Sequence, residues 1–494
     1  MTDKRFLRAL LTAALLPGCT IGPDYVRPSA SVPAAYKEGT KEGLRWQPAR
    51  PSDHVGRGNW WAAFGDPELD RLIAQIDVTN QTLIAAEAQF RQAVALADQA
   101  RAAWFPTVTA GLQETRSRPS ATTGPVTGIS TSKRTIFSAP LNFSWEADLW
   151  GRIKRSVEAG DSSAQASAAD LENARLSLQA QLAQDYFELR ALDSQKRLLE
   201  STLEAYARSL ELTNNRYRAG VVARIDVAQA ETQMKSTQAQ VLDLGVQRSQ
   251  LEHAIAVLLG TTPSGFSLAP AELFAKPPLV PPGLPADLLE RRPDIAAAER
   301  RVAAANAQIG VAAAAWFPTA TLSAAFGFQS ATAAQWFTLP SRFWSIGPAL
   351  AETIFDGGRR RAVGDQAVAA YDASVANYRQ VVLTGFQEVE DNLAALRILE
   401  EEARVQAEAT AAAQLALEIS LNQYKAGIVT YLQVVTAQAT ALASQRTSAD
   451  LLARRMTASV LLVKALGGGW DAAALPDSAE LRRRAEGGRA ATSR

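Results

Sequence analysis

Few side chains in this 494-residue sequence are of the types that carry out chemistry. It contains one cysteine, Cys19, two histidines, His54 and His253, and three methionines. Two histidines 199 positions apart in sequence offer too few donors for a histidine-based metal site or acid–base pair. The sequence also lacks a glycine-rich phosphate loop and a Gly-x-Ser-x-Gly elbow. We therefore expect no enzyme activity, no catalytic residues, no metal and no cofactor.

The single cysteine lies where an N-terminal signal would be cut. Basic residues precede an apolar stretch, residues 9–16, that is too short to span a bilayer, and Leu16-Pro17-Gly18-Cys19 follows. This pattern resembles the lipobox of bacterial lipoproteins. The resemblance implies that residues 1–18 are a lipoprotein signal peptide, that Cys19 becomes the acylated first residue, and that Thr20 after it favours outer-membrane delivery. An ordinary signal with a chance thiol is the alternative.

The overall charge argues against nucleic acid as a partner. The formal net charge is +1, and the composition, 47% hydrophobic and 20% charged, is that of a globular chain. Residues 471–494 are rich in arginine with few apolar residues, so we expect a disordered tail there.

The chain contains two copies of one unit, because a series of short motifs recurs 207 positions later. The pairs are Gly151-Arg152 with Gly358-Arg359, Tyr217 with Tyr424, Ala219-Gly220-Val221 with Ala426-Gly427-Ile428, and Leu259-Gly260 with Leu466-Gly467. We place an acylated, extended N-terminal segment at 19–65, the first repeat at 66–260 and the second at 286–470. A proline-rich linker, residues 261–285, separates the repeats and cannot continue a helix.

Each repeat contains a long proline-free segment, residues 152–218 and 359–425. As an unbroken helix each would be roughly 100 Å long. In the first segment, apolar residues recur every 3.5 positions along a seam, which predicts a coiled-coil partner. The first row of that seam comprises Leu171, Leu178, Asp185, Leu192, Leu199, Tyr206 and Thr213, and the second row comprises Arg175, Leu182, Leu189, Lys196, Leu203, Leu210 and Tyr217. Shorter flanking helices, about 66–104 and 225–260, are expected to stack end to end beside the long one.

Four short segments between the helices alternate with a period of two. Apolar and polar residues alternate over 137–147 and 319–329, with weaker partners at about 105–116 and 343–355. Their length suits tilted strands of a membrane barrel. A soluble four-stranded sheet packed on the helices would show the same alternation, but the lipobox favours a membrane. Four strands cannot close a barrel and lipid tolerates no open edge, so several chains would have to share one.

Taken together, these motifs make the chain resemble a TolC-type outer-membrane factor, most closely the lipoprotein (NodT/OprM-like) branch of resistance-nodulation-division (RND) efflux systems. The residues that carry the resemblance are Gly22-Pro23-Asp24-Tyr25, Trp60-Trp61-Ala62-Ala63-Phe64-Gly65-Asp66-Pro67, Leu289-Glu290-Arg291-Arg292-Pro293-Asp294, Trp104-Phe105-Pro106-Thr107, Trp316-Phe317-Pro318-Thr319 and the two turn motifs at Gly220 and Gly427.

The resemblance implies a fold that is mainly α with a small β part. Each chain would contribute a long coiled-coil helical tunnel and four transmembrane strands, and a homotrimer would close a 12-stranded β-barrel in the cell outer membrane, with the tunnel extending into the periplasm. It implies an exit channel that conducts substrates passively in a tripartite efflux pump. The partners would be outer-membrane lipid, a periplasmic membrane-fusion adaptor and an inner-membrane RND pump.

By the same resemblance, the two turns at the far end of the tunnel would dock the adaptor through Gly220, Val221, Gly427 and Ile428. Helices nearby would form a periplasmic gate. The gate residues implied are Asp226, Arg224, Tyr424, Gln433 and Thr436, with Gln433 and Thr436 standing where some family members have acids. For Asp226, a charge favoured by a helix N-terminus is an equally good interpretation.

Two other functions fit parts of the sequence. A periplasmic structural lipoprotein would use the coiled coils as a spacer and conduct no ions. A type I secretion exit duct would share the whole architecture and differ in its partners.

Replacing the predicted anchor residue tests the signal assignment. Cys19→Ala removes the thiol that acylation requires, so we expect incorporation of radiolabelled palmitate to be abolished. Thr20→Ala, which leaves Cys19 in place, is expected to keep the label. Label retained by Cys19→Ala would show that the anchor is elsewhere.

Overall fold

The computed structural model describes residues 20–38, 59–118, 120, 133–273, 277–278 and 285–483. The predictions for Cys19, the signal peptide and the last residues of the tail lie outside these ranges, as does His54. The helices are α1 (Pro67–Thr79), α2 (Gln81–Ala102), α3 (Arg152–Arg218), α4 (Arg224–Leu258), α5 (Leu288–Arg291), α6 (Pro293–Ala314), α7 (Arg359–Lys425) and α8 (Tyr431–Ala465). The strands are β1 (Thr107–Ala110), β2 (Gln113–Ser117), β3 (Arg134–Ala147), β4 (Thr319–Ser330) and β5 (Arg342–Ala351).

The two long helices have the predicted bounds. Each of α3 and α7 runs unbroken for 67 residues, which the absence of proline permits. In α3 the first row of the predicted seam is buried from Asp185 onward, including Leu199 and Thr213 at 0% exposure. Leu192 and Leu199 pack with Leu244 of α4. The second row is buried at Leu182 and Leu189 but becomes half-buried at Leu203 and Leu210 and exposed at Tyr217, so the heptad pattern predicted the buried face of this helix only in part.

The helix predicted over 66–104 is two helices. Asn80 lies between them with an extended backbone, and its side chain caps α2 by accepting from the Leu83 amide at 2.9 Å. The same side chain donates to the Leu258 carbonyl at the end of α4, 2.7 Å away. A local cap thus ends one helix, begins the next and joins both to α4.

The shorter helices meet end to end beside the long ones, as predicted. Thr79 donates to the Leu259 carbonyl at 2.7 Å, and a side chain on Gly260 would overlap the Thr79 carbonyl. The second repeat reproduces the junction, because a side chain on Gly467 would overlap the Arg291 carbonyl. At both junctions, α2 with α4 and α6 with α8, only glycine permits the backbones to approach this closely.

The main core surrounds α1 and the middle of α3. Leu69, Leu72, Ile73 and Ile76 form the buried face of α1 and pack with aromatic residues that precede it. Asp66 caps α1 by accepting from the amides of residues 68 and 69. This packing fixes the short helix across the middle of the long one.

The proline-rich linker also packs against the middle of α3. The amide of Ala271 donates to Asp193 at 3.1 Å, and Arg248 of α4 donates to the Leu268 carbonyl at 2.5 Å. Asp193 in turn accepts from Arg248 at 2.7 Å. The described part of the linker is therefore held by a buried polar network.

The tail is not disordered throughout, so that prediction is wrong for residues 471–483. Leu481 is fully buried against Phe90, Val94 and neighbouring alanines, and Gln165 donates to the Pro476 carbonyl at 3.1 Å. The leucine supplies the apolar anchor that the arginine-rich composition obscured.

The strands form one antiparallel sheet in the order β1-β3-β4-β5, with β2 also paired to β3. The register places the apolar residues of neighbouring strands opposite one another, for example Leu141 with Phe326 and Phe326 with Trp344. One face of the sheet is therefore apolar. The opposite face has Ser144 opposite Ser323 and Gln329 opposite Ser138.

The strand predicted over 105–116 is divided into β1 and β2. The amide of Gly111 donates to the Pro140 carbonyl at 3.0 Å, but proline has no N–H to donate in return. The ladder is interrupted at that pair. The predicted strand near 343–355 is also shorter, ending at Ala351.

Within the described ranges, none of the helices combines the length and apolar character needed to cross a membrane.

The sheet tolerates Pro140 in a middle strand because Gly327 lies opposite it. In Gly327→Val the new side chain would overlap the Ala139 carbonyl, so we expect a loss of about 2 kcal/mol or more in stability. Gly347→Val in β5 is the matched control, because nothing lies within 4 Å of its Cβ position. Thermal unfolding of the two purified variants, monitored by circular dichroism, would compare their unfolding midpoints. Equal midpoints for the two variants would contradict this account of the sheet.

Candidate functional site at the helical tips

The two long helices end in identical turns. Gly220 and Gly427 have φ of 76° and 77°, in the left-handed region that favours glycine. In each turn the residue after the glycine donates to the carbonyl five positions earlier: Val221 to Arg216 and Ile428 to Gln423, both at 2.9 Å. This is the helix-ending arrangement that the glycines predicted.

Both turns present a small apolar surface. Val221 and Ile428 are 61% and 72% exposed, and nothing lies within 4 Å of the Cβ position of Gly220. These turns, residues 219–223 and 426–430, are the ends of the two helical hairpins.

Behind the turns lies a buried polar group that we call the tip cluster, formed by Ser209, Thr213, Arg216, Tyr424 and Tyr431. The Tyr431 hydroxyl is 3.1 Å from the Ser209 hydroxyl, and the Tyr424 hydroxyl is 3.3 Å from that of Thr213. The two tyrosine rings pack edge to face with centroids 5.2 Å apart. Each bond joins α3 of the first repeat to the second repeat.

Arg216 closes the tip cluster. Its guanidinium donates to the Tyr424 carbonyl at 2.6 Å and lies over the Tyr424 ring, 4.6 Å from the centroid. That carbonyl also accepts from the Gly427 amide at 3.0 Å. A cation at the last turn of α7 is favoured by the helix dipole, and a hydrogen bond from a charged donor is worth about 1.5–3 kcal/mol.

Burial raises the pKa of the Tyr431 hydroxyl in the tip cluster. Desolvation is the main cause, and the neighbouring charge of Asp226 raises this pKa further. Asp226 itself is half-buried in the first turn of α4, where a negative charge is favoured. The Tyr431 hydroxyl therefore stays protonated, and its hydrogen bond with Ser209 persists, throughout the neutral pH range.

Of the five predicted gate residues, the structure brings one, Tyr424, into the tip cluster. Gln433 and Thr436 lie on an exposed face of α8, and the Thr436 hydroxyl donates to its own helix at the Leu432 carbonyl. Arg224 is exposed, and neither it nor Asp226 forms an ion pair with any described residue.

Sequence reasoning missed Arg216 and Tyr431. The signal available was a difference between the two copies: 207 positions away, Arg216 corresponds to Gln423 and Tyr431 to Arg224. Tyr217, the counterpart of Tyr424, is 43% exposed while Tyr424 is buried. The turns are symmetric between repeats, but the contacts behind them are not.

The described residues contain no group of three or more side chains placed to hold a metal ion.

Comparison with known proteins agrees with this architecture. Residues 72–261 and 284–468 match the outer membrane efflux protein family. The pyoverdine export outer membrane protein OpmQ of Pseudomonas aeruginosa is 34% identical over 468 residues, 94% of this chain and 96% of that protein. The probable efflux pump outer membrane protein TtgC of Pseudomonas putida is 32% identical over 472 residues, with the same shares.

Solved structures share the fold over nearly its whole length. The outer-membrane channel OprN superposes with a TM-score of 0.83 at 32% identity, covering 92% of this chain and 100% of that one. CusC superposes with a TM-score of 0.80 at 28% identity, covering 91% and 100%. The mainly helical fold with one small sheet is therefore that of TolC-like outer-membrane channels.

The chain belongs to the outer membrane efflux protein family. It is an outer-membrane channel protein that functions in efflux, as the motif resemblance predicted.

Proposed function

We propose that three copies of the chain form the exit duct of a tripartite efflux pump, with a 12-stranded barrel above a helical tunnel. The observation that carries this is the sheet. Its apolar face is continuous across β3, β4 and β5, and within the described residues β5 pairs with β4 alone. An unpaired edge in lipid costs several kcal/mol for each unsatisfied backbone group. Pairing β5 with the first strands of a neighbouring copy removes both edges.

The tip cluster is the periplasmic gate in this proposal. It joins the end of α7 and the start of α8 to α3, directly behind the two exposed turns. Opening the tunnel requires the hairpin of the second repeat to move away from the first, which breaks the Arg216 bond to the Tyr424 carbonyl. Asp226, Arg224, Gln433 and Thr436 lie outside the cluster, and we propose that they line the gate in the assembled tunnel.

The turns dock the adaptor. Gly220, Val221, Gly427 and Ile428 form small apolar ends, which suit contact with another protein's helical tips. Because Arg216 lies directly behind Gly427, with Nη2 3.7 Å from its Cβ position, contact at this turn would act on the gate. Energy comes from an inner-membrane RND pump, and the duct itself is passive.

In this proposal the anchor lies at the base of the sheet, which is the end of the sheet where β3 and β5 terminate. The amide of Ile21 donates to the Trp150 carbonyl at 3.1 Å, just after β3. From there the N-terminal segment runs along the second repeat to Lys37 and Glu38, whose amides both donate to Glu390 of α7. An acylated Cys19, one residue before Thr20, would therefore insert beside the sheet.

Single-channel conductance of the purified protein in planar bilayers tests the duct and its gate. Arg216→Gln removes a charged hydrogen bond from the closed state, so we expect the closed-state leak to rise roughly tenfold. Arg208→Gln is the control, because its guanidinium is 71% exposed and 3.9 Å from Glu204. Equal leaks from the two variants would remove the tip cluster from the gate, and an absence of any conductance would contradict the duct.

A bulky residue at the second turn tests adaptor docking. Gly427→Trp places an indole at the turn surface in a left-handed backbone position, so we expect drug export to be lost while trimer yield stays normal. Gly65→Trp is matched for backbone strain, because Gly65 has a φ of 65° with nothing within 4 Å, and it lies away from the tips. Intact export in Gly427→Trp would count against docking at this turn.

A further inference from the structure

The first turns of both long helices are unusually basic. Residues 152–155 of α3 contain Arg152, Lys154 and Arg155, and α7 begins Arg359-Arg360-Arg361; neither first turn has an acid. Positive charge at a helix N-terminus opposes the helix dipole and costs stability. Both basic sets lie a few residues after a strand, β3 or β5, ends at the base of the sheet. Something other than helix stability therefore accounts for them.

Three of these cations are compensated inside the chain. Arg152 pairs with Glu146 at 2.8 Å and Arg360 with Asp356 at 2.8 Å, while Arg155 pairs with Asp24 at 2.9 Å. The free helix amides are also satisfied. Asp148 accepts from the amides of Ile153 and Lys154, and Asp356 accepts from those of Gly358 and Arg360.

Lys154, Arg359 and Arg361 are not compensated in this way. All three are exposed, and none forms an ion pair with any residue that the structure describes. Lys154 and Arg361 are 207 positions apart and so occupy the same place in the two repeats. Lys154 donates to the Thr20 hydroxyl at 3.2 Å, which places its ammonium next to the predicted acylation site.

Lys154 and Arg361 lie on the side of the apolar sheet face. Arg152 reaches Glu146, which pairs with Thr321 on the polar face. Two residues later an α-helix has turned by about 200°, so Lys154 lies on the opposite side from Arg152. By the 207-residue equivalence of the two repeats, Arg361 takes the corresponding place two residues after Arg359. The same rotation directs both cations toward the side of the apolar sheet face.

In both repeats, an exposed aromatic residue lies just before a strand that starts at the base of the sheet. Phe105 is 70% exposed just before β1, and Trp316 is 49% exposed just before β4. Aromatic side chains are enriched at the boundary between the hydrocarbon and the headgroups of a membrane. The base of the sheet thus combines an apolar face, exposed aromatics and, toward that face, the uncompensated cations Lys154 and Arg361.

We propose that Lys154 and Arg361 bind the phosphate of anionic phospholipids at the base of the sheet. Three copies would present six such cations around the barrel, at a height set by the first turns of α3 and α7. Contact with the headgroups supplies the negative partner that Lys154 and Arg361 lack within the described chain, and it fixes the depth of the barrel in the bilayer. This inference rests on the proposed membrane-embedded trimer.

Native mass spectrometry of the detergent-solubilised full-length protein, titrated with phosphatidylglycerol or phosphatidylcholine, tests this. Each basic residue at a membrane surface contributes about 1 kcal/mol, which corresponds to roughly a fivefold change in affinity. We expect Lys154→Gln/Arg361→Gln to lower the affinity for phosphatidylglycerol by at least fivefold and to leave phosphatidylcholine binding unchanged. The control is Lys235→Gln/Arg91→Gln, which removes the same charges from exposed sites on α4 and α2, away from the base; it should bind as wild type does.

Three outcomes would overturn the proposal. One is equal phosphatidylglycerol binding by the two double variants. Another is equal binding of the two lipids by the wild-type protein. The third is displacement of bound phosphatidylglycerol by glycerol 3-phosphate at equal concentration, which would show a phosphate site rather than a lipid site. Incorporation into phosphatidylcholine vesicles distinguishes these failures from failure of the membrane assignment, because a chain without a membrane sheet would enter no vesicle.

Discussion

The structure depends on the backbone hydrogen bonds at the edges of one small sheet. Within a bilayer no water replaces a missing partner, so a sheet that spans it must have no open edge. The described chain provides an antiparallel sheet with an apolar face and ends at β5. In the proposed trimer, the paired repeats and the helices that set the strands side by side serve to close this sheet.

Duplication of one sequence unit accounts for much of the geometry of the chain. One unit, used twice, places two hairpins, two long helices and two glycine turns at matched positions, and the two end-to-end junctions use glycines at equivalent sites, Gly260 and Gly467. The two copies differ in the contacts behind the turns. The tip cluster exists because Arg216 and Tyr431 have no counterparts of their type in the other repeat.

The described part of the N-terminal segment, residues 20–38, connects the base of the sheet to the long helix α7. It contacts Trp150 just after β3 and, further along, Glu390 of α7. On the way, Arg155 donates to the Gly22 carbonyl and to Asp24, and Asn306 donates to the Pro23 carbonyl. A segment without regular secondary structure is thus held by side chains from both repeats, which ties the position of the predicted anchor to the helices.

Local rules in the sequence predict the features that depend on period and on special residues. The bounds of α3 and α7, the first row of the α3 seam, the apolar sheet face and the glycine turns all follow from them, as does membership of the family through its motifs. Features that depend on distant partners emerge only in the folded chain. Pro140 divides the first predicted strand because it faces Gly111, and Leu481 anchors the described part of the tail beside Phe90. Tyr424 is buried with Tyr431 and Val434, whereas its counterpart Tyr217 is exposed. Such contacts join residues far apart in the chain, and local periodicity carries no information about them.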